Sequence, residues 1–161
     1  MSFIYRLAAA FAAMLLFRAL VFTIYTVPGP QLEPTFKAGD RVMVNRWSYG
    51  LRTGDGRLFS YGRLWRQPVH QGDWVVVDDS LGQTLIGRCA ALPGDTVRWQ
   101  ERMLIVPSKA ACARYDYYLL DSLGFVREEQ IVGRIALVVY NHMPEQPFWC
   151  GYPVERFLLP L

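Results

Sequence analysis

Cysteine, histidine and charge are all in short supply in this chain. Three cysteines in 161 residues are too few for a disulfide scaffold. Cys112 and Cys150 could pair in an oxidising compartment, and the odd total leaves at least one thiol free. The two histidines, His70 and His142, show neither metal-ligand spacing nor a nucleophile paired with them in sequence. No metal and no cofactor is therefore expected. Charged residues make up 19% of the chain, below the globular norm. The net charge of +3 is scattered, so it builds no basic patch and nucleic-acid binding is not expected. Internal repeats and low-complexity tracts are absent as well. Beyond Val27 no stretch has a convincing 3.6-residue period with caps.

What the chain has in plenty is apolar surface. Hydrophobic residues make up 52%, which argues against disorder, and the length suits one domain with a real core. Much of the excess lies at the front. From Phe3 to Val27 the only formal charges are Arg6 and Arg18, and Leu7–Phe17 is wholly Leu, Ala, Phe and Met. That run alone is too short for about 30 Å of hydrocarbon. Phe3 to about Leu20 gives a workable span if both arginines snorkel to opposite interfaces. The reading is a membrane anchor over residues 1–20 and an exported domain over 21–161. Keeping Arg6 inside sets the orientation, though a bias of one residue is weak. A cleaved signal peptide, with small residues at Ala8-Ala9-Ala10 and Ala12-Ala13, and a buried core helix are the alternatives.

After Pro28-Gly29-Pro30 the pattern turns to short β-rich runs bounded by turn residues. These are Arg41–Asn45, Trp74–Val77, Thr84–Ala91, a hairpin of Thr96–Trp99 and Met103–Val106, and Ile135–Tyr140. Gly39-Asp40, Gly72-Asp73 and Gly94-Asp95 read as turns at strand starts, with glycine supplying positive φ. Thr53–Pro68 reads as a polar loop and Pro144–Pro153 as a second irregular segment. The spacing suggests a mainly β fold, a small barrel or sandwich.

Three ordered segments then carry a resemblance. The first runs Val27-Pro28-Gly29-Pro30-Gln31-Leu32-Glu33-Pro34-Thr35-Phe36-Lys37-Ala38-Gly39-Asp40 and on to Tyr49-Gly50. The second is Leu85-Ile86-Gly87-Arg88-Cys89-Ala90-Ala91-Leu92-Pro93-Gly94-Asp95-Thr96-Val97, and the third is Gly124–Arg134. Together they resemble type I signal peptidases, whose motifs read I-P-S-x-S-M-x-P-T-L-x-x-G-D, Y-[IV]-K-R-[VI]-[VI]-G-[LM]-P-G-D and G-x-V-P-x-x-x-I-x-G-[KR]. Arg18 also falls where many members carry an Arg as the chain leaves the membrane. The resemblance implies a signal-peptidase-like β domain behind one transmembrane helix, in a bacterial cytoplasmic membrane with the domain on the outer side.

The resemblance also shows what is missing. Members of that family hydrolyse exported preproteins with a Ser–Lys dyad, the neutral Lys taking the Ser proton. Aligned on Leu32-Glu33-Pro34-Thr35, the nucleophile position is Gln31, whose amide is not a useful nucleophile. Aligned on Arg88 and Leu92-Pro93-Gly94-Asp95, the base position is Gly87, which has no side chain. The family's oxyanion-side hydroxyl falls on Gly29. A further box, G-D-N-R-x-N-S-x-D-S-R, is eroded around Tyr117–Gly124. Either most of it is deleted or only Asp121-Ser122 survives. Catalytic residues are therefore expected to be none. Gly29, Gln31, Leu32, Gly87 and Cys89 are candidates for a substrate groove. Pro34, Arg88, Asp95 and Asp121 are expected to be structural beside it, with Asp121 a candidate partner for Arg88. Cys89, two residues from Gly87, would face the same side of a strand and is weighed as a replacement nucleophile, but a buried apolar cysteine is commoner. Lys37 and Ser48 match ordinary positions of the first motif.

The function expected is a catalytically inactive, signal-peptidase-like membrane protein. Its partners are the lipid bilayer and an exported preprotein or assembling surface protein, held without cleavage. An active signal peptidase with displaced catalytic residues is the alternative, and a purely structural subunit without a groove is a third.

Overall fold

The structure, a computed structural model, describes residues 2–27, 29–54, 61–79, 82–99, 101–111, 115–142 and 152–160. The possible Cys112–Cys150 pair and most of the irregular 144–153 segment lie outside the described residues. The first element is α1, Ser2–Val21. Between Tyr5 and Leu20 it has no glycine, proline or β-branched residue, which suits a helix. Phe22-Thr23-Ile24-Tyr25-Thr26 then favours a strand, and β1 (Phe22–Thr26) follows α1 with no linker. The Arg46 N–H donates to the Val21 carbonyl at 2.9 Å. Phe17 meets Trp47 edge-on with ring centroids 5.7 Å apart.

Helix α1 has the expected position, but the membrane span does not follow from it. Among the described residues no helix is long and apolar enough to cross a membrane. Within its 20 residues α1 carries Arg6 and Arg18, and an arginine at mid-bilayer costs about 2.5–3.5 kcal/mol. Phe3, Ile4, Tyr5, Leu7, Phe11, Met14, Leu15 and Phe17 are all exposed.

The rest is mainly β. The strands are β2 (Asp40–Asn45), β3 (Leu51–Thr53), β4 (Gly62–Leu64), β5 (Trp74–Asp78), β6 (Thr84–Ala91), β7 (Thr96–Trp99), β8 (Arg102–Ile105), β9 (Tyr117–Leu120), β10 (Gly124–Arg127), β11 (Ile131–Asn141) and β12 (Leu159–Pro160). Every strand predicted from sequence is present. The polar loop predicted over Thr53–Pro68 is corrected by β4, which pairs with β3 across it. Alternation in Gly62-Arg63-Leu64 is too short to see without its partner.

One antiparallel sheet runs β1-β2-β11-β5-β6-β9-β10, with β12 also on β11. The hairpins β3-β4 and β7-β8 stand apart from it. Strand β11 is long enough to pair with β5 through Ile131–Arg134 and with β2 through Arg134–Asn141. Register shifts mark bulges along it, and bulges bend a strand. Val76 belongs to one core with Val27, Phe36, Val42, Val44, Ile86 and Ile135. Its neighbours Val75 and Val77 face the other, with Tyr49, Cys89, Tyr118, Leu120 and Ile131. Burying both faces explains why Trp74–Val77 reads as continuously apolar. Among the described residues the edge strands β1 and β10 pair with one strand each, so hydrogen bonds do not close the sheet into a barrel.

Gly133 marks the closest backbone approach. A Cβ there would run into the Asn45 carbonyl oxygen and come within 3.0 Å of the Arg46 Cα, on backbone that cannot step aside. Gly133→Ala is expected to lower stability by at least 1–3 kcal/mol, roughly the overpacking range, read as a drop in the urea midpoint.

Candidate functional site

The three Gly-Asp pairs build the same turn three times. In each, the Asp N–H donates to the carbonyl three residues back: Lys37, His70 and Leu92, at 3.1, 3.2 and 3.1 Å. The Asp carboxylate accepts the N–H of that same residue, at 2.8, 3.1 and 2.8 Å. The glycines have φ of +84°, +92° and +92°, which only glycine adopts without strain. Each turn also grips one buried residue on a neighbouring segment by two backbone bonds. The Gly N–H donates to that residue's carbonyl, and its N–H donates to the Asp carbonyl. The gripped residues are Val27, Cys89 and Val106.

Two of those grips set the site. Val27 immediately precedes the Pro28–Leu32 segment, and Cys89 follows Gly87-Arg88. Beyond Val27, Pro30–Leu32 forms a single 3₁₀ turn closed by the Glu33 N–H on the Pro30 carbonyl at 3.1 Å. Pro34 follows a cis bond, and Glu33 is extended with φ −65° and ψ 146°. The Phe36 N–H then donates to the Leu32 carbonyl, and Phe36, fully buried, meets Trp74 edge-on at 4.9 Å.

The turn borders two cavities that share Gln31, Leu32 and Ser122. The inner one, about 60 Å³, is lined mainly by Val27, Leu85, Ile86 and Leu123, with Gly29 at its rim. The outer one, about 310 Å³, adds Glu33, Thr35, Trp74, Arg88 and Asp121. Among the described residues neither lining includes a Lys, His or Cys.

Gly87 lies on β6 opposite Val75. A Cβ there would come within 3.1 Å of the Leu120 Cβ and Cδ1 and 3.2 Å of the Ser122 Oγ. A side chain at position 87 would therefore need Leu120 and Ser122 to give by a few tenths of an ångström. The Ser122 hydroxyl donates to the Ile86 carbonyl at 3.2 Å. The described hydrogen bonds of the β6 edge facing the cavities end there, after the Asp121 N–H donates to the Arg88 carbonyl at 3.0 Å.

The family model of signal peptidases, peptidase S26, matches residues 1–122. The chain belongs to the S26 signal peptidase family. It is 29% identical to signal peptidase I V of Bacillus subtilis over 89 residues, which is 55% of this chain and 44% of that protein. It is 28% identical to signal peptidase IB of Staphylococcus aureus over 120 residues, 74% of this chain and 55% of that protein. The chain spans about half the length of the curated relatives it matches.

Gly29, Gln31 and Leu32 line the cavities. Gly87 is not among the described lining residues, but a Cβ on it would come within 3.2 Å of the hydroxyl of Ser122, which lines both cavities. Cys89 is buried in the second core, its thiol 3.7 Å from the Ala91 carbonyl. Burial, then the carboxylates Asp73, Asp121 and Asp95, push that thiol up to about 11. A thiol held protonated is a poor nucleophile. Cys89 is expected to resist iodoacetamide at pH 8 in the folded chain and to react after unfolding, as followed by mass spectrometry of its peptide.

Arg88 and Asp121 line the same cavity, yet no ion pair joins them among the described residues. The Arg88 guanidinium donates to the Gly72 carbonyl at 3.3 Å, and the two residues are linked through backbone instead. Asp95 holds its own turn, on Leu92. Lys37 serves Asp40 through its backbone, and Ser48 lines a separate pocket with Asn45 and Arg134. His70 sits on the Asp73 turn, and His142 packs on Tyr152.

Sequence reasoning missed Leu120, Ser122, Thr35, Trp74 and Leu123. Ser122 carried a signal, since it follows Asp121 in the eroded box. Leu120 carried none, because its role appears only when β9 lies beside β6.

Proposed function

We propose that this chain is a signal-peptidase-fold protein that binds an extended segment of an exported preprotein at the membrane without cutting it. The observation that carries the reading is at the dyad positions. On the motif alignment, Gln31 takes the position of the family's Ser and Gly87 that of its Lys. Leu120 and Ser122 crowd a Cβ at position 87, at 3.1 and 3.2 Å. Among the described residues no Lys, His or Cys lines the cavities to take over.

Retention of the cleft supports binding. An edge of β6 with free backbone groups accepts an extended peptide as an added strand, and side-chain pockets add selectivity. The inner cavity's size and apolar lining suit a small side chain such as alanine. The exposed apolar side chains of α1 support a lipid location for that helix, with the arginines near the interfaces. In that setting the β domain sits on the outer side of the bacterial cytoplasmic membrane.

The test uses the full chain in detergent micelles with a preprotein bearing an Ala-x-Ala site and a photo-crosslinker beside it. Expected is a crosslink mapping to Gly29–Leu32 or Leu85–Ile86, lost with Ile86→Arg, and no cleavage. Specific cleavage by the wild-type chain, or crosslinks elsewhere, would overturn the reading.

A further inference from the structure

Segment 152–160 reaches back to the cleft through one side chain. The segment is fixed to the sheet by β12, whose Leu159 and Pro160 pair with Val138 and Leu137 of β11. The Leu158 N–H also donates to the Val139 carbonyl at 3.2 Å. From there Arg156 points inward, its side chain only 13% exposed. Its Nε and Nη2 donate to the two carboxylate oxygens of Asp40, at 3.1 and 2.6 Å. Asp40 is fully buried and also accepts from the Asn141 amide at 2.7 Å. This fork fixes the plane of the guanidinium, because both ends of the contact are rigid.

A second bond uses that fixed plane. Nη2 also donates to the Thr35 carbonyl at 3.0 Å. Thr35 lines the outer cavity, and its peptide joins it to Phe36, which closes the Gln31–Phe36 turn on Leu32. One guanidinium therefore spans the Gly39-Asp40 turn, which grips Val27 at the start of the Gln31 segment, and the far end of that same segment.

We propose that Arg156 is a positioning residue for the cleft, fixing where Gln31 stands by holding the Thr35 carbonyl against the Gly39-Asp40 turn. Arg156 lies beyond residues 1–122 that match the family model. The placement of the turn does not depend on whether a peptide binds; only its consequence for affinity rests on the binding reading.

The two bonds of Arg156 can be separated. Arg156→Ala leaves the Asp40 charge buried and unpaired, so it reports stability as well as position. Arg156→Lys keeps a cation for Asp40 but loses the planar fork and its second arm. Phe157→Ala is the control: it trims the same segment, stacks on Tyr140, and has no bond to the turn. The readout is the nitrogen–proton NMR spectrum of the full chain in micelles, with thermal melts alongside. Arg156→Lys is expected to stay folded and to shift the Phe36 amide and the Gln31 side-chain amide, while Phe157→Ala leaves both in place. In the peptide-crosslinking assay Arg156→Lys is expected to lower the yield several-fold. Unshifted Phe36 and Gln31 signals in folded Arg156→Lys would overturn the proposal, as would equal shifts in Phe157→Ala. An absent crosslink in the wild type would count against peptide binding alone, and the NMR result would still decide the role of Arg156.

Discussion

Gln31→Ser combined with Gly87→Lys is expected to give no cleavage until Leu120 is also cut back to alanine. In a Ser hydrolase the nucleophile and base act as a unit, and loss of either costs on the order of 10⁶ in kcat. Restoring both is therefore necessary, but the structure adds a steric condition. A Cβ at position 87 meets Leu120 Cβ and Cδ1 at 3.1 Å, and both atoms belong to a fully buried core side chain. A side chain at position 87 needs Leu120 and Ser122 to give by a few tenths of an ångström, and a fully buried Leu120 has little room to do so. Leu120→Ala removes the Cδ1 contact and leaves the Cβ to yield by a few tenths of an ångström. It lowers stability by about 2–5 kcal/mol, as buried Leu→Ala changes do, so the triple variant is assayed well below its melting temperature. The measurement is gel-based cleavage of an Ala-x-Ala preprotein by wild type, double and triple variants. Cleavage by the double variant would disprove the Leu120 obstruction. A folded but silent triple variant would show that the cleft has lost the family's productive geometry.

Asp40→Ala is expected to be among the most damaging single changes, lowering stability by about 3–5 kcal/mol. It removes the partner of Arg156, leaving a guanidinium that is mostly buried and unpaired. It also strips the Lys37 N–H of its acceptor and the Asn141 amide of one of its two. The pH dependence has a definite sign. Burial alone would raise the Asp40 carboxyl, but hydrogen bonds from Arg156, the Lys37 N–H and Asn141 outweigh it and hold it below the usual carboxylate range. A carboxyl lowered by folding contributes stability that is fully present above its unfolded value of about 3.9. That contribution is lost as pH falls through the lower folded value. Thermal melts from pH 7 down to about 2.5 should show the wild type losing stability below about pH 4 more steeply than Asp40→Asn, which starts lower and has no such proton to take up. Parallel curves would remove Asp40 from the acid limb.

How much of this could be read beforehand depended on range. The strands Trp74–Val77 and Thr84–Ala91 were legible because composition and turn residues are local signals. So were the glycines of the Gly-Asp pairs, since positive φ is a property of one residue. That the three pairs build one repeated grip was not legible, because each grips a residue on another segment whose identity gives no sign of it: Val27, Cys89 and Val106. At the site, Gln31 and Gly87 were singled out by alignment to a pattern, which gives an expectation about positions and says nothing of neighbours. The crowding of position 87 by Leu120 depends on the pairing of β6 with β9, through Cys89↔Leu120 and Ala91↔Leu119. Arg156 was invisible for the same reason, since its two partners lie more than a hundred residues away. Helix α1 was legible because helix formation is local, whereas crossing a bilayer depends on the summed apolarity of the whole segment, against which its two arginines count.

The direct passage from α1 into β1 leaves no hinge between the helix and the sheet, and Arg46 and Trp47 brace the junction from the side. The strand therefore acts as a ruler. Val27, where the inner cavity begins, is six residues beyond Val21, or about 20 Å of extended chain. If α1 rests in a layer and β1 runs away from it, the cleft stands up to about 20 Å above that layer. On the binding reading proposed above, a polypeptide would then have to protrude about that far to reach the cleft before any pocket reads its side chains.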